Sequence, residues 1–169
     1  MLVYESRRGH GVFPRPLLEH TTVRSINLSH NKLNEIPPEI NALKDLRFLN
    51  LSDNRLEALP PQIGELTNLE VLDLSGNNLK SLPRELGKLH NLKQLYVGSN
   101  NLTEIPLEVL LLLAHKLEII EAGDNMGFVP IDASLVQTIN IPGRGGWVVY
   151  TSTQYDDDTS SILGWSLMV

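Results

Sequence analysis

Serine, histidine and aspartate, the side chains of nucleophilic acyl transfer, occur as two dipeptides, Ser29-His30 and Ser52-Asp53, that would sit close together at the ends of adjacent strands. A hydrolytic site of this kind needs a nucleophile held against its base and an oxyanion hole beside both. The serine, however, recurs as Ser29, Ser52 and Ser75 at a constant 23-residue interval. A fixed interval marks a position in a repeating element, here a small polar residue before a turn, and nothing nearby supplies an oxyanion hole or a pocket. The chain is therefore read as a non-enzyme.

The remaining chemistry-bearing residues point the same way. His10, His20, His30, His90 and His115 show no H-x-x-x-H spacing and the chain has no cysteine, so no metal and no cofactor are expected. Asp156, Asp157 and Asp158 run together without the alternation of a calcium loop and read as a solvated turn. Gly143-Arg144-Gly145-Gly146 lacks the Lys-Ser/Thr pair of a phosphate loop.

The elements that would carry these residues repeat. Asn31, Asn54, Asn77 and Asn100 fall 23 residues apart, and Asn125 follows after 25. Around them stands one apolar frame, L-x-x-L-x-L-x-x-N-x-L, with units starting at Val23, Leu46, Leu69, Leu92 and Leu117. Within a unit, pairs such as Ile26 and Leu28, Leu49 and Leu51, or Leu72 and Leu74 face one side of a short strand, and the residue between them faces the other. No unit can bury its own apolar edge, so the units must stack and each strand must extend a parallel sheet. An asparagine side chain can satisfy backbone groups in the bend after each strand. Losing one would strand buried polar groups at about 1 to 3 kcal/mol each.

The second half of each unit is equally regular: Ile36-Pro37-Pro38 with Ile40 and Leu43, Leu59-Pro60-Pro61 with Ile63 and Leu66, Leu82-Pro83 with Leu86 and Leu89. Proline fixes φ and lacks an amide hydrogen, which suits the first turn of a helix and spoils a strand. Apolar residues at three- and four-residue steps then give one face of a short helix or 3₁₀ segment. The fourth unit is longer by two residues and more apolar between Pro106 and Lys116, where a helix is expected.

These motifs resemble the leucine-rich repeat proteins over residues 13–130. The resemblance implies an α/β leucine-rich repeat solenoid, a horseshoe with short parallel strands on the concave face and short helices or 3₁₀ segments on the convex face. The 23-residue units with an L-P-x-x-I/L half are most similar to the intracellular Ras-suppressor and Ras-binding scaffold group. The same half-repeat also occurs beside catalytic domains in adenylyl cyclases, deadenylases, Roco kinases and bacterial effectors.

Three segments are expected: a degenerate N-terminal repeat or cap over 1–22, repeats over 23–138, and a C-terminal cap or tail over 139–169. In the first, Val3 takes a core position, Phe13-Pro14 lie over Ile36-Pro37, and Leu17 lies over Ile40. Phe128 and Pro130 would close the core of the shortened fifth unit. In the last segment, which holds both tryptophans, Trp147 and Trp165, residues 147–153 read as a strand between a glycine-rich turn and the Asp run. A hairpin capping the last repeat is the first expectation. A mobile tail whose aromatic residues engage a partner is the alternative.

In a solenoid, function lies on the exposed surface. Three columns of strand residues would face outward: Asn27, Asn50, Asp73, Tyr96 and Glu121; Ser25, Phe48, Val71, Gln94 and Ile119; and Arg24, Arg47, Glu70, Lys93 and Glu118. The sheet would be about five strands wide, at about 4.8 Å per strand, which is sized for a protein partner. Phe48, Val71, Tyr96 and Ile119 set apolar side chains where the fold alone accepts polar ones, although such residues also favour strands. Arg24, Asn27, Arg47, Phe48, Asn50, Val71, Asp73, Gln94, Tyr96, Ile119 and Glu121 form the candidate partner-binding set. Charge changes sign along it, from Arg24 and Arg47 to Asp73, Glu118, Glu121 and Asp124, which would orient a docking protein.

Composition sets the remaining bounds. A net charge of -6 and a pI near 5.3 argue against a nucleic-acid partner. The longest apolar run, 109–114, is far below the roughly 20 residues of a membrane span. With no cysteine and no apolar leader after a basic start, a cytoplasmic location is expected. The N-x-S/T sequons at Asn27, Asn50 and Asn101 arise from the repeat consensus itself. The chain is thus expected to be a monomeric, intracellular interaction module or scaffold, binding a signalling protein such as a small GTPase or a signalling enzyme. The alternative is a regulatory or substrate-recruiting fragment of a larger enzyme.

Overall fold

The computed structural model describes residues 2–114, 117–125 and 148–150. Among them are seven strands of three residues each: β1 (Leu2–Tyr4), β2 (Ser25–Asn27), β3 (Phe48–Asn50), β4 (Val71–Asp73), β5 (Gln94–Tyr96), β6 (Ile119–Glu121) and β7 (Val148–Tyr150). They form one sheet in chain order, every neighbouring pair parallel. Val3, Ile26, Leu49, Leu72, Leu95, Ile120 and Val149 stand opposite one another across it. The sequence period is thus the register of the sheet. From β2 to β6 the middle residue is buried and its two neighbours are half-buried. Alternation about one inward residue gives the sheet a core side and an open side.

The chain returns on the opposite side through 3₁₀ segments Arg15–Glu19, Pro38–Ala42, Pro61–Glu65 and Arg84–Lys88. Pro14, Pro37, Pro60 and Pro83 precede them in extended conformation, each with φ near -68° or -69°. The ring fixes that angle and ends the preceding extended stretch without wasting an amide hydrogen. In the fourth unit the two extra residues yield one α-helical turn, α1 (Leu107–Leu110), continued by the 3₁₀ segment Leu111–Ala114. The return segments lie close together. A Cβ at Gly64 would stand 2.1 Å from the Glu85 carbonyl oxygen, and one at Gly87 would stand 2.7 Å from that of Glu108.

Between sheet and return segments runs one leucine-dominated core, with Leu28, Leu33, Leu43, Leu46, Leu51 and Leu56 wholly excluded from solvent. Burying a leucine side chain is worth about 1.5 to 3 kcal/mol. At the N-terminal end Phe13 and Leu17 are buried and Val3 packs against the cluster they belong to, so the first unit joins the same core.

The asparagine ladder occupies the bends. Asn54 Nδ2 donates to the carbonyls of Leu51 at 2.9 Å and Ser52 at 3.1 Å in its own unit, and to Leu28 at 3.0 Å in the unit before. Its Oδ1 accepts the Leu33 amide at 3.0 Å. Asn31, Asn77, Asn100 and Asn125 make the corresponding bonds.

The sheet is wider than the five strands expected, because β1 and β7 extend it at its two ends. The strand read over 147–153 is present as Val148–Tyr150 and pairs with β6 in the parallel sense, continuing the direction of the repeat strands, while the rest of the expected capping hairpin lies outside the described residues. Its Val148-Val149 pair has the β-branched character of a paired strand, and the lost 23-residue period obscured only which strand it pairs with. Phe128, Pro130, Trp147, Trp165, the glycine-rich stretch at 143–146 and the Asp run at 156–158 lie outside the described residues.

Candidate partner-binding face

The three outward columns fall in register. Asn27, Asn50, Asp73, Tyr96 and Glu121 stand opposite one another on adjacent strands, as do Ser25, Phe48, Val71, Gln94 and Ile119. All ten side chains are half-buried, between core and solvent. Phe48, Val71, Gln94 and Ile119 form one mostly apolar row across the open side. Arg24, Arg47, Glu70, Lys93 and Glu118 line the edge where the chain enters each strand.

Several nominated residues also have structural duties. Asn27 Oδ1 accepts the Ser29 amide at 2.9 Å. Asn50 Oδ1 accepts the Ser52 amide at 2.9 Å and its hydroxyl at 2.8 Å, and Asp73 Oδ1 accepts those of Ser75 at 3.1 and 2.6 Å. These turns are the local side-chain to backbone bonds that Asn and Asp favour. They also explain the recurring N-L-S tripeptides. Tyr96 has no carboxyl or amide oxygen to offer at this position, and its hydroxyl donates to Gln94 Oε1 at 3.2 Å. The Gly98 amide is instead bonded by Glu121 of the next unit, at 3.2 Å.

The edge column holds an ion cluster that the sequence reading missed. Glu70 accepts from Arg47 Nη1 through Oε1 and from Lys93 Nζ through Oε2, both at 2.6 Å. Hydrogen bonds from Lys93 and then Arg47 hold the Glu70 carboxyl below the ordinary carboxylate range. With Asn68 and Asn91 these residues line a polar depression of about 200 Å³. Asn68 and Asn91 donate to the carbonyls of Lys44 and Thr67 in the preceding unit, forming a second and more exposed asparagine ladder. The signal was present as plus, minus, plus at Arg47, Glu70 and Lys93. It becomes legible only once the strand register is known. The cluster also blunts the expected charge gradient, since Arg47 is paired while Asp73, Glu118, Glu121 and Asp124 form no ion pair among the described residues.

The serine and histidine residues do not assemble into a nucleophilic site. His30 Nδ1 lies 3.2 Å from Asp53 Oδ2, with both side chains about half exposed. Ser29 and Ser52 are buried, and the Ser52 hydroxyl donates to Asn50. His30 and Asp53 share a left-handed turn position with Gly76, Ser99 and Asp124, each at positive φ. Their proximity therefore follows from the repeat. Among the described residues no group of three or more His, Cys, Asp or Glu side chains is placed to hold a metal, and no helix is long and apolar enough to cross a membrane.

Residues 15–124 match the family described as "Leucine-rich repeat region". The chain belongs to the leucine-rich repeat family. Proteins of this family generally mediate protein–protein interaction, and its repeat domains are typically binding modules without catalysis. No curated protein sequence matches the chain significantly. Among solved structures, a leucine-rich repeat protein of Leptospira interrogans is 24% identical with a TM-score of 0.64, covering 87% of this chain and 48% of its own, a likeness of fold. The ectodomain of the receptor kinase SOBIR1 from Arabidopsis thaliana is 32% identical with a TM-score of 0.53, over 60% of this chain and 57% of its own. That of the Arabidopsis receptor kinase GASSHO1/SCHENGEN3, solved with CASPARIAN STRIP INTEGRITY FACTOR 2, is 31% identical with a TM-score of 0.60, over 73% of this chain and 14% of its own. The leucine-rich repeat chain thus spans about half the length of the first and second of these three.

Proposed function

We propose that this leucine-rich repeat chain is a non-catalytic scaffold that holds a protein partner on its concave sheet. One observation carries the reading. Phe48, Val71, Gln94 and Ile119 form a continuous row on adjacent strands, outside the core and away from the bends that the asparagines satisfy. Apolar side chains on an open sheet face are the usual anchors of an interface. The rest of the candidate set, Arg24, Asn27, Arg47, Asn50, Asp73, Tyr96 and Glu121, surrounds that row as its polar rim. The GASSHO1/SCHENGEN3 ectodomain, solved in complex with CASPARIAN STRIP INTEGRITY FACTOR 2, supports a binding role here as well.

The finer assignment is a monomeric, cytoplasmic protein acting in small-GTPase signalling. It is supported by the absence of cysteine and by the L-P-x-x-I/L half-repeats of the Ras-suppressor and Ras-binding scaffold group. A second reading is favoured by the lengths of the solved neighbours: the chain is the recognition part of a longer receptor or enzyme.

The test is a photo-crosslinking residue introduced at Phe48 or Ile119 on the sheet, or at the exposed convex Ala42, in cells of the source organism. Adducts at the two sheet positions and none at Ala42 are expected. Adducts confined to Ala42 would overturn the concave assignment.

A further inference from the structure

The concave reading can be made chemically specific at one point. Asp73, Tyr96 and Glu121 stand directly opposite one another on β4, β5 and β6, so a phenol ring lies between two carboxylates on adjacent strands about 4.8 Å apart. Asp73 uses Oδ1 for the Ser75 bonds, while Oδ2 has no partner among the described residues. Glu121 bonds two backbone amides, yet its negative charge is unpaired among the described residues. Glu118 and Asp124 flank β6 and add further unpaired negative charge. The nearest basic side chain in the edge column, Lys93, is already committed to Glu70 at 2.6 Å.

Tyr96 interrupts a column that otherwise carries amides and carboxylates. Structure alone would favour Asn or Asp there, because the Gly98 amide then finds its acceptor within the same unit. The acceptor is supplied across the strand gap by Glu121, and the ring is left on the open face, its hydroxyl held by Gln94. An aromatic face among uncompensated carboxylates is the chemistry that receives a guanidinium or ammonium group.

We propose that Asp73, Tyr96 and Glu121 form a seat for a cationic side chain, arginine above all, presented by a basic segment of the partner protein. The proposal rests on the concave reading and adds the charge of the partner to it. The Arg47–Glu70–Lys93 cluster, with its net positive charge on the side of the earlier repeats, sets the direction in which such a segment lies.

The full chain, isotope-labelled for amide NMR, is titrated with the acetylated and amidated peptide Gly-Arg-Gly-Arg-Gly and with the same peptide carrying citrulline, which keeps the shape of arginine without its charge. Saturable shifts confined to β4, β5 and β6, absent with citrulline, are expected. Asp73→Asn keeps the acceptor for Ser75 and reproduces the residue found at Asn27 and Asn50, so its fold is preserved while binding weakens about threefold to fivefold. Tyr96→Leu keeps an apolar side chain, removes the ring and weakens binding by about threefold or more. Equal shifts with citrulline, shifts scattered over the acidic surface, or wild-type affinity in both variants would each overturn the seat. Crosslinks at Phe48 and Ile119 would survive such a failure, which separates this proposal from the concave reading on which it stands.

Discussion

The Glu121 carboxylate reaches back across one strand to the amide of Gly98, 3.2 Å away, while its other oxygen accepts the amide of Gly123 at 2.9 Å. Two units share one acidic side chain, and the sharing requires a glycine. A Cβ at position 98 would stand 2.4 Å from Glu121 Oε2. Gly98→Ala is therefore expected to displace the carboxylate and lower stability by about 1 to 3 kcal/mol, a loss read from denaturant unfolding. If unfolding midpoints coincide, the shared bond is not structural.

Asn77 illustrates the ladder at its best-surrounded point. It donates to Leu51, Leu74 and Ser75 and accepts from Leu56. Asn77→Ala leaves these groups buried without partners, so a loss of about 1 to 3 kcal/mol or more is expected. Thermal melting of the two proteins side by side checks it, and an unshifted melt would contradict the ladder.

Convex packing makes a second class of glycine indispensable. At Gly64 an added methyl would meet backbone, with the Glu85 carbonyl oxygen at 2.1 Å, which cannot swing aside as a side chain can. Gly64→Ala is expected to cost about 1 to 3 kcal/mol, whereas alanine at the exposed Lys80 should change stability by less than about 0.5 kcal/mol. Equal melting temperatures for the two variants would show that neighbouring units can separate freely.

The Arg47–Glu70–Lys93 cluster carries a pH signature. The folded Glu70 carboxyl titrates below the ordinary glutamate value of 4.5, so its stabilisation is fully present above that pH and is lost as the pH falls through the lower, folded value. The groups are exposed, so the effect is small and screened by salt. Melting temperatures of the natural protein and of Glu70→Gln should differ at neutral pH in low salt and converge on acidification below 4.5. A gap that widens toward acid would reverse the sign of this linkage.

The core was legible in the chain because its code is local. Each buried leucine and each turn asparagine recurs at one period, so position alone announced Leu49, Leu72, Leu95 and Asn54. What stayed hidden depends on which unit lies beside which. Asn27, Asn50 and Asp73 looked free because each accepts the backbone amide two residues on, joined at Ser52 and Ser75 by the hydroxyl, and Glu121 looked free because one of its partners, Gly98, lies a whole unit away. The pairing of Glu70 with both Arg47 and Lys93 needed the register before three signs in a row could become a cluster. The strand over 147–153 was legible, but its parallel pairing with β6 was not, because 29 residues separate Ile120 from Val149, where the repeats allow 23 or 25.

Each turn asparagine grips its own unit and the one before it, and none reaches further. Cohesion is consequently a chain of short clasps, in which every link depends only on its immediate neighbours. Such a molecule should fray inward from both extremities, with amide exchange slowest in the middle strands. Rigidity thus concentrates around Leu72 and Leu95, and the ring of Tyr96 stands on the last ground to melt.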